Sequence, residues 1–357
     1  MITLQNIAHR MQSGFPLCDG EVLLDLDGYK IAIQSNSEEL LEKLGIYFAH
    51  TLGHGSADIV VKAIQRPQDT YDLTFTDWKR EPGKTGRKDA YVDIEQARII
   101  QKVRTSMVFL QSQSERIAAG PCLENDNQVI NFINAQYMNH LQQNGALICH
   151  ASGLCAREKG LGIAGFSGGG KSTLMLHLLS SDNVQYLTND RLFLKAGSAI
   201  GIPKLPRVNP GTMLHDPNLI DLLPAERIKA LKALPPSELW DLEEKYDVFV
   251  EDIYGPNKII DHATLNAFLI LNWKRESEVP CTIQEINIEE HVDLLKAVIK
   301  SPGPFYQDVN ANFISQDMHQ DSLAYLNALK NVRIYEASGK IDFTYAKDFC
   351  LQHLLME

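Results

Sequence analysis

The chain has 357 residues, of which 44% are hydrophobic and 22% are charged, and its formal net charge is −11. This length predicts two globular domains, and the ordinary composition excludes fibrous and broadly disordered proteins. Nucleic acids and anionic membranes attract positively charged surfaces. The acidic balance therefore disfavours both as partners, although a local basic patch is compatible with it.

The cysteines and the first residues indicate the compartment. Six cysteines are scattered along the chain, without a CxxC pair or a histidine at zinc-ligand spacing, and are interpreted as reduced thiols. The N-terminal residues are too polar for a signal peptide, and no window reaches the roughly 20 apolar residues of a membrane span. We therefore expect a cytoplasmic protein with no membrane partner.

Residues 1–125 predict a strand-rich α+β domain. Short segments of alternating apolar and polar residues, separated by polar turns, are typical of strands. Ser37, followed by two glutamates and an apolar series, predicts a capped amphipathic helix. The charged, glycine-containing segment 80–88 predicts an exposed hairpin loop. The predicted strands are 22–26, 29–34, 59–64 and 97–103.

A helix is predicted to link this domain to a second one. Apolar residues follow helical spacing over 127–143, and Gly145 closes the helix. We therefore assign 126–145 as a linking helix and 146–357 as the second domain. Within the second domain, short apolar strands are predicted at 146–150 and 161–164, and a longer buried strand at 263–273.

A glycine-rich segment follows the strand at 161–164. Residues 165–173 read GFSGGGKST, match the pattern G-x-x-x-x-G-K-[ST], and precede a helical run. Glycines let backbone amides turn toward phosphate oxygens, and the positive end of the following helix faces the same anion. The motif predicts ATP and Mg²⁺ as cofactors. The predicted nucleotide-binding residues are Gly165, Ser167, Gly168, Gly169, Gly170, Lys171, Ser172 and Thr173, with Lys171 on the β and γ phosphates and Ser172 on magnesium.

Acidic residues and a histidine follow strands of the same domain. Asp190 ends a short strand after the loop helix, so the return of a parallel strand would place its carboxylate near the γ phosphate. There it would accept a proton from an alcohol or contact the metal. His150 ends the preceding strand and would reach the same rim. Residues 248–252 predict a strand whose end carries Glu251 and Asp252, and the pattern does not decide which of them contacts the metal.

Two proline-rich loops carry cations. In the segment 201–211, Lys204 or Arg207 would neutralise charge on the substrate or the triphosphate, and a solvent-exposed loop charge is the alternative. The segment 300–306 begins with Lys300 and is interpreted as a lid or a turn.

Together these segments resemble the HPr kinase/phosphorylase superfamily, and within it the branch called HPr-kinase-related kinase B. The resemblance covers about 146–357 and implies an α/β P-loop kinase domain, similar to the nucleotide-binding part of phosphoenolpyruvate carboxykinase. It implies that Asp190 activates an acceptor hydroxyl with support from His150, that Lys171 holds the triphosphate, and that Ser172 and Asp252 hold magnesium. The matching segments are HASG from His150, GFSGGGKST, YLTNDR, the turn Asp252-Ile-Tyr-Gly and AFLILNW.

Two departures limit what the resemblance implies. The bifunctional enzymes have glutamate, isoleucine, arginine and glycine where this chain has residues 252–255, DIYG. No match to the later arginine loop is found, and 301–306 is the nearest segment. Neither phosphorylase activity nor HPr as the substrate is therefore implied.

The sequence thus predicts an ATP- and magnesium-dependent kinase that transfers the γ phosphate to a hydroxyl of a protein serine or a small molecule. The competing hypothesis is a non-catalytic nucleotide sensor, which the incomplete set of arginines favours. The acceptor stays open. The oligomeric state also stays open, and a homo-oligomer is compatible with the sequence.

Overall fold

A computed structural model describes residues 3–80, 86–166, 168–235, 238, 239, 242, 244–318 and 320–356. The chain is a mixed α/β protein that divides into two compact units. The first unit contains Met1–Gly145 and Ser301–His319, and the second contains Ala146–Lys300 and Gln320–Glu357. No helix in the described part of the chain has the length and hydropathy that a bilayer crossing requires.

The first unit is built on one mixed sheet. Its strand order is β1-β2-β3-β8-β7-β6-β5-β4, in which β3 pairs in parallel with β2 and β8 while the other pairs are antiparallel. Its helices are α1 (Leu4–Gln12), α2 (Glu38–Tyr47) and α3 (Asp126–Gln143). Its strands are β1 (Glu21–Leu26), β2 (Tyr29–Ser35), β3 (Ile59–Gln65), β4 (Thr76–Asp77), β5 (Asp89–Ile94), β6 (Ala97–Lys102), β7 (Val108–Ser112) and β8 (Arg116–Gly120).

The local predictions for this unit are largely confirmed. The four predicted strands correspond to β1, β2, β3 and β6, and the hydroxyl of Ser37 caps α2 by accepting the amide of Leu40 at 3.3 Å. Helix α1 was not predicted, because only a few of its residues are apolar and pack in the core. Of the predicted loop at 80–88, residues 81–85 lie outside the described residues.

The helix expected to link the domains is part of the first unit. Most residues of α3 are buried, and the Asn139 side-chain amide donates to the carbonyl of Phe305 at 2.9 Å. The segment 301–319 interrupts the second unit in sequence but therefore belongs to the first unit in space. Neither the burial of α3 nor the hydrogen bond of Asn139 to Phe305 can be recognised from nearby residues in the sequence. Helical periodicity alone therefore suggested a linker.

A buried arginine ties that returning segment to the sheet. Arg98, on β6, is only 2% exposed and donates to both oxygens of Asp93 at 2.6 and 2.9 Å and to the carbonyl of Ile314 at 3.2 Å. Its guanidinium also lies over the rings of Tyr91 and Phe313, at 4.4 and 4.7 Å from the ring centroids.

We expect Arg98→Met to lower the free energy of unfolding by about 1–3 kcal/mol, because the buried carbonyl of Ile314 loses its donor. Urea titration of the wild type and the variant measures this change. Arg87→Met is the control, since Arg87 pairs with Asp77 at an exposed position and should change the unfolding midpoint little. Equal effects of the two substitutions would contradict the assigned role of Arg98.

The second unit contains a larger sheet. Its strand order is β12-β10-β11-β17-β14-β13-β9, and β19 joins it between β17 and β18. The strands of the large sheet are β9 (Leu147–Cys149), β10 (Ala151–Ala156), β11 (Lys159–Gly165), β12 (Gln185–Thr188), β13 (Leu192–Lys195), β14 (Ser198–Ile200), β17 (His262–Leu271), β18 (Thr282–Ile286) and β19 (Arg333–Ser338). A separate two-stranded sheet in the same unit consists of β15 (Arg207–Val208) and β16 (Tyr246–Asp247). The helices of this unit, within the described residues, are α4 (Lys171–Leu179), α5 (Pro210–Leu214), α6 (Ala225–Lys232), α7 (Val250–Tyr254), α8 (Val292–Leu295), α9 (Ser322–Leu329) and α10 (Phe343–Phe349).

This sheet curls so that its two ends meet. The chain passes from β9 to β10 through His150 alone, and from β12 to β13 through residues 189–191, yet β12 and β10 stand at one end of the strand order and β13 and β9 at the other. The curl is tight at Gly153, where an added Cβ would lie 2.8 Å from a methyl of Leu192. The connection at His150 and the connection at residues 189–191 therefore lie next to each other.

The predicted strand at 248–252 is wrong. The strand there ends earlier, as β16 pairs with β15 and the amide of Val248 donates to the carbonyl of Pro206 at 2.9 Å. The chain then turns into α7, whose first turn holds Glu251 and Asp252. Acidic residues are favoured in the first turn of a helix by its dipole. Because both acids lie in a helix, the alternation of side chains along a strand cannot be used to choose between them.

Candidate functional site

The glycine-rich segment lies between the end of β11 and the start of α4. Gly168 and Gly170 have φ of 81° and 83°, the left-handed region that glycine enters without strain. Among the described residues, no side chain caps the start of α4, so its first amides keep their capacity to bind an anion. The order of strand, loop and helix is that predicted. Ser167, one of the predicted nucleotide-binding residues, lies outside the described residues.

The loop is held from below by aromatic residues. The indole N–H of Trp273 donates to the carbonyl of Gly169 at 2.8 Å, and the Phe343 ring meets the Trp273 ring edge-on at 5.3 Å. A Cβ on Gly170 would lie 2.5 Å from the Phe343 ring, and one on Gly165 would lie 2.9 Å from Leu271. Close packing therefore requires glycine at both positions, and at Gly170 the left-handed backbone conformation requires it as well.

The first residues of α4 point their polar groups at defined partners. The ammonium of Lys171 donates to the carbonyl of Gly165 at 2.8 Å, across the loop. The hydroxyl of Thr173 lies 3.1 Å from that of Thr212. Lys171 thus contacts the mouth of the loop, where an incoming phosphate would compete for its protons.

Asn189 connects the loop helix to the Asp190 turn. Its side-chain carbonyl accepts from the hydroxyls of Ser172, at 3.0 Å, and Ser152, at 2.9 Å, and the residue is 8% exposed. Because Ser172 donates its proton to Asn189, its oxygen lone pairs are oriented away from that bond and can serve a cation. No motif spacing singled out Asn189 or Ser152 as site residues, although both lie in the segments that carry the resemblance.

Asp190 and His150 meet where the sheet closes. His150 Nε2 lies 3.0 Å from one carboxylate oxygen of Asp190, and Arg191 binds the other oxygen. The φ of Asp190 is 71°, an uncommon conformation for a residue with a side chain, which costs about 1–3 kcal/mol and is found most often at functional sites. The Asp190 side chain is 38% exposed, so a substrate can reach it.

The protonation states of this pair are consistent with each other. Burial lowers the pKa of His150, and Lys300 and Lys171 lower it further, against the opposing effect of Asp190. Burial would raise the pKa of Asp190, but Arg191, His150 and Lys300 together hold it well below 3.8. At neutral pH a neutral imidazole therefore donates its Nε2 proton to an ionised carboxylate.

Lys204 comes from the first proline-rich loop. This loop is fixed to β12, since the amide of Ile202 donates to the hydroxyl of Thr188 at 3.5 Å and the hydroxyl of Tyr186 donates to the Lys204 carbonyl. Burial lowers the pKa of the Lys204 ammonium to about 8, with Arg191 contributing in the same direction and Asp190 opposing. Arg207, the other cation considered from the sequence, instead lies 3.1 Å from Asp247.

The acids of α7 are not brought into this arrangement by any contact. Within the described ranges, neither Glu251 nor Asp252 forms a side-chain hydrogen bond or ion pair, and no group of three or more His, Cys, Asp or Glu side chains could hold a metal. The metal role of Asp252 stays a prediction. Such a group is not required for Mg²⁺ on a nucleotide, because phosphates and water supply most of its ligands.

Gly170→Ala should abolish tight nucleotide binding, because the new methyl group meets the Phe343 ring and adds about 1–3 kcal/mol of overpacking to the backbone strain. Gly197→Ala is the matched control: its φ is 82°, but nothing lies within 4 Å of an added Cβ. Both variants are compared by titration with an ATP analogue and by urea unfolding. Equal nucleotide affinities would show that the packing under the loop is unimportant.

The depressed pKa of His150 predicts a pH dependence of stability. Below about pH 6.5 the unfolded chain binds a proton at this residue that the folded chain does not, so stability falls as the pH drops through that range. The contribution of Asp190 is lost only below 3.8. We expect His150→Gln to flatten the decline in unfolding free energy between about pH 7 and pH 5.5. An unchanged slope in urea titrations would contradict the buried, neutral state of His150.

The chain was also compared with known proteins. No protein-family model matches it, and no curated protein sequence matches it. Among solved structures, the HPr(Ser) kinase/phosphatase from Coxiella burnetii is similar over 58% of this chain and 95% of its own length, with 12% sequence identity and a TM-score of 0.27. A TM-score of this size does not establish a common fold. The family resemblance of the motifs therefore stays a prediction, and function is inferred from the site itself.

Proposed function

We propose that this protein is an ATP- and Mg²⁺-dependent phosphotransferase of the P-loop, HPr-kinase-like type, which transfers the γ phosphate to an alcohol. One observation carries the proposal: Asn189, which is bonded to Ser172 on the loop helix, directly precedes Asp190, which is bonded to His150. The residue that is hydrogen-bonded to the proposed phosphate-binding loop is thereby the immediate neighbour in sequence of the residue with the ionised carboxylate. Phosphoryl transfer needs these two elements side by side.

The loop supports binding of a nucleoside triphosphate. The amides at the start of α4, which no described side chain caps, form with the left-handed glycines and the Lys171 ammonium the type of anion site that polyphosphates occupy. Gly170 and Gly165 let the loop backbone lie directly against Phe343 and Leu271, where a Cβ atom would collide. Lys171 is proposed to exchange the Gly165 carbonyl for β and γ phosphate oxygens.

The donor set also fits magnesium. Mg²⁺ prefers hard oxygen ligands and keeps several waters, so one or two protein oxygens suffice. The Ser172 hydroxyl is proposed to be one of them, and a carboxylate of Asp190 or Asp252, directly or through water, the other. When bound, the ion would reduce the negative charge of the phosphate oxygens.

The proposed reaction is an in-line transfer. The acceptor hydroxyl oxygen bonds to the γ phosphorus, the bond between that phosphorus and the β,γ-bridging oxygen breaks, and the electron pair leaves with ADP. Asp190 takes the hydroxyl proton. Although its two oxygens are bound by His150 and Arg191, a carboxylate has about four acceptor positions and retains room for the hydroxyl. Because a carboxylate of such low pKa is a weak base, the proton moves late, when bonding to phosphorus has made it acidic.

The roles of the neighbouring residues follow from their contacts. His150 fixes the orientation of the Asp190 carboxylate. Because its imidazole is neutral, it does not neutralise the negative charge of that carboxylate. Asn189 holds the Ser172 hydroxyl at a fixed distance from that carboxylate. Such positioning, with charge stabilisation, supplies most of the rate enhancement in phosphoryl transfer.

The competing function is a nucleotide sensor without chemistry. The absence of a matching later arginine loop in the sequence favours it, and it needs only the loop. The pairing of Asp190 with His150 favours the enzyme, because a strained, ionised carboxylate beside the loop has no evident use in a sensor.

Asp190→Asn should lower phosphotransfer by about 100-fold to 10,000-fold, the usual contribution of a general base, while ATP affinity stays within a few-fold. The assay follows label from γ-labelled ATP into any acceptor of a cell extract and into inorganic phosphate. Asp182→Asn, at an exposed turn after α4, is the control. Undiminished transfer in Asp190→Asn would remove it as the base. Tight ATP binding by the wild type, with neither transfer nor hydrolysis, would favour the sensor.

A further inference from the structure

A buried lysine lies at the far end of the helix that follows the glycine-rich loop. Lys258 is only 7% exposed, and its ammonium donates to four backbone carbonyls at the end of α4 and in the turn after it. These four carbonyls, the carbonyl cage, are those of Ser181 at 2.8 Å, Val184 at 2.9 Å, Asp182 at 3.1 Å and Leu179 at 3.3 Å. The turn between α4 and β12 is therefore folded around one cation.

The carbonyl cage holds this cation without a carboxylate. In the described part of the chain, Lys258 forms no ion pair, so backbone carbonyls surround its ammonium as they would a bound monovalent cation. Burying a charge is costly unless hydrogen bonds compensate for it. The carbonyls at a helix C-terminus are suited to this, because they lack partners within the helix and lie at the negative end of its dipole.

The backbone of the same lysine is hydrogen-bonded to β12. The carbonyl of Lys258 accepts the amide of Tyr186 at 2.6 Å, and the amide of Ile260 donates to the carbonyl of Tyr186 at 2.9 Å. Strand β12 ends at Thr188 and leads directly into Asn189. Lys258 therefore contacts the end of α4 through its side chain and β12 through its main chain.

The hydrogen bond between Ser172 and Asn189 depends on how α4 and β12 are aligned. Ser172 lies in the first turn of α4, and its hydroxyl donates to the Asn189 side chain at 3.0 Å. Residues 180–184 alone join this helix to β12 along the chain, and three of the four carbonyls of the cage belong to them. A change in the shape of this turn would shift the strand relative to the helix.

We propose that Lys258 acts as a built-in monovalent cation and is a positioning residue: by fixing the turn after α4, it holds Ser172 against Asn189. The inference rests on the proposed function, because this contact keeps the phosphate-binding loop beside the proposed base, Asp190. Lys258 acts through the backbone of α4 and β12 and has no contact with nucleotide or acceptor in this role.

Two substitutions remove the cation in different ways. Lys258→Ala empties the carbonyl cage, whereas Lys258→Met keeps a side chain of similar length without charge or donors. Both should lower the rate of label transfer from γ-labelled ATP by about tenfold to 100-fold, because a misplacement of about 1 Å has an effect of this size. The affinity for a non-hydrolysable ATP analogue should stay within a few-fold, since Phe343 and Trp273 still pack under the loop.

Chemical rescue separates the role of the cation from a general loss of packing. Propylammonium supplies the atoms that Lys258→Ala removes and should restore most of the transfer rate. Tetramethylammonium at the same concentration has the same charge but no N–H donor, and should not restore it. Lys195→Ala, at an exposed position on β13, is the control and should change neither rate nor affinity.

Hydrogen exchange tests the geometry apart from the chemistry. It is measured by mass spectrometry on the full-length protein without nucleotide, in peptides that contain residues 171–175 and 186–190. Both peptides should exchange about tenfold or more faster in Lys258→Ala and Lys258→Met, because several hydrogen bonds that limit local opening are lost. Propylammonium should reverse this change in Lys258→Ala.

Several outcomes would overturn the role of Lys258. These are wild-type exchange and transfer in both variants, a lower urea midpoint with both readouts unchanged, and failure of propylammonium to act better than tetramethylammonium. A wild-type protein that binds the ATP analogue but transfers no phosphate is a different result. It would contradict the proposed function alone, and the exchange and rescue data would still decide whether Lys258 is the cation that fixes the turn.

Discussion

The closure of the second sheet on itself is the constraint on which the candidate site depends. Two chain connections, one of a single residue and one of three, join strands from opposite ends of the strand order. Sheets of this kind can close only by curling, and the curl forces the connections together. His150 and Asp190 are the residues at that point of closure, and their hydrogen bond holds it. The glycine loop then needs only Asn189 to be fixed beside them.

The electrostatics of the site follow from how that closure removes water. A histidine buried at a strand end stays neutral, while a carboxylate surrounded by cations stays ionised, so the pair carries one negative charge among several positive ones. Loss of a partner would leave the remaining charges of this partly exposed cluster less well compensated. The left-handed backbone at Asp190 is tolerated because His150 and Arg191 fix its side chain.

The parts of this protein that could be predicted from sequence are those with local causes. Alternation predicted β1, β2, β3 and β6, a serine cap predicted α2, and the glycine spacing predicted the loop before α4. The failures have non-local causes. Pairing of β15 with β16 ended the strand that alternation extended to Asp252, and Arg98 draws 301–319 back to the first unit. Phe343 lies far from the loop in sequence, so no spacing could reveal it.

The position of Phe343 beneath Gly170 also has a consequence for biosynthesis. The loop is translated long before the ring that fills the space under it, and the indole of Trp273 appears between them. A nascent chain on the ribosome therefore contains the glycine motif before the Phe343 and Trp273 side chains that pack against it. The packing under the loop is complete only after residue 343 has left the exit tunnel, so a ligand proposed for this loop would bind after that step of folding rather than guide the earlier ones.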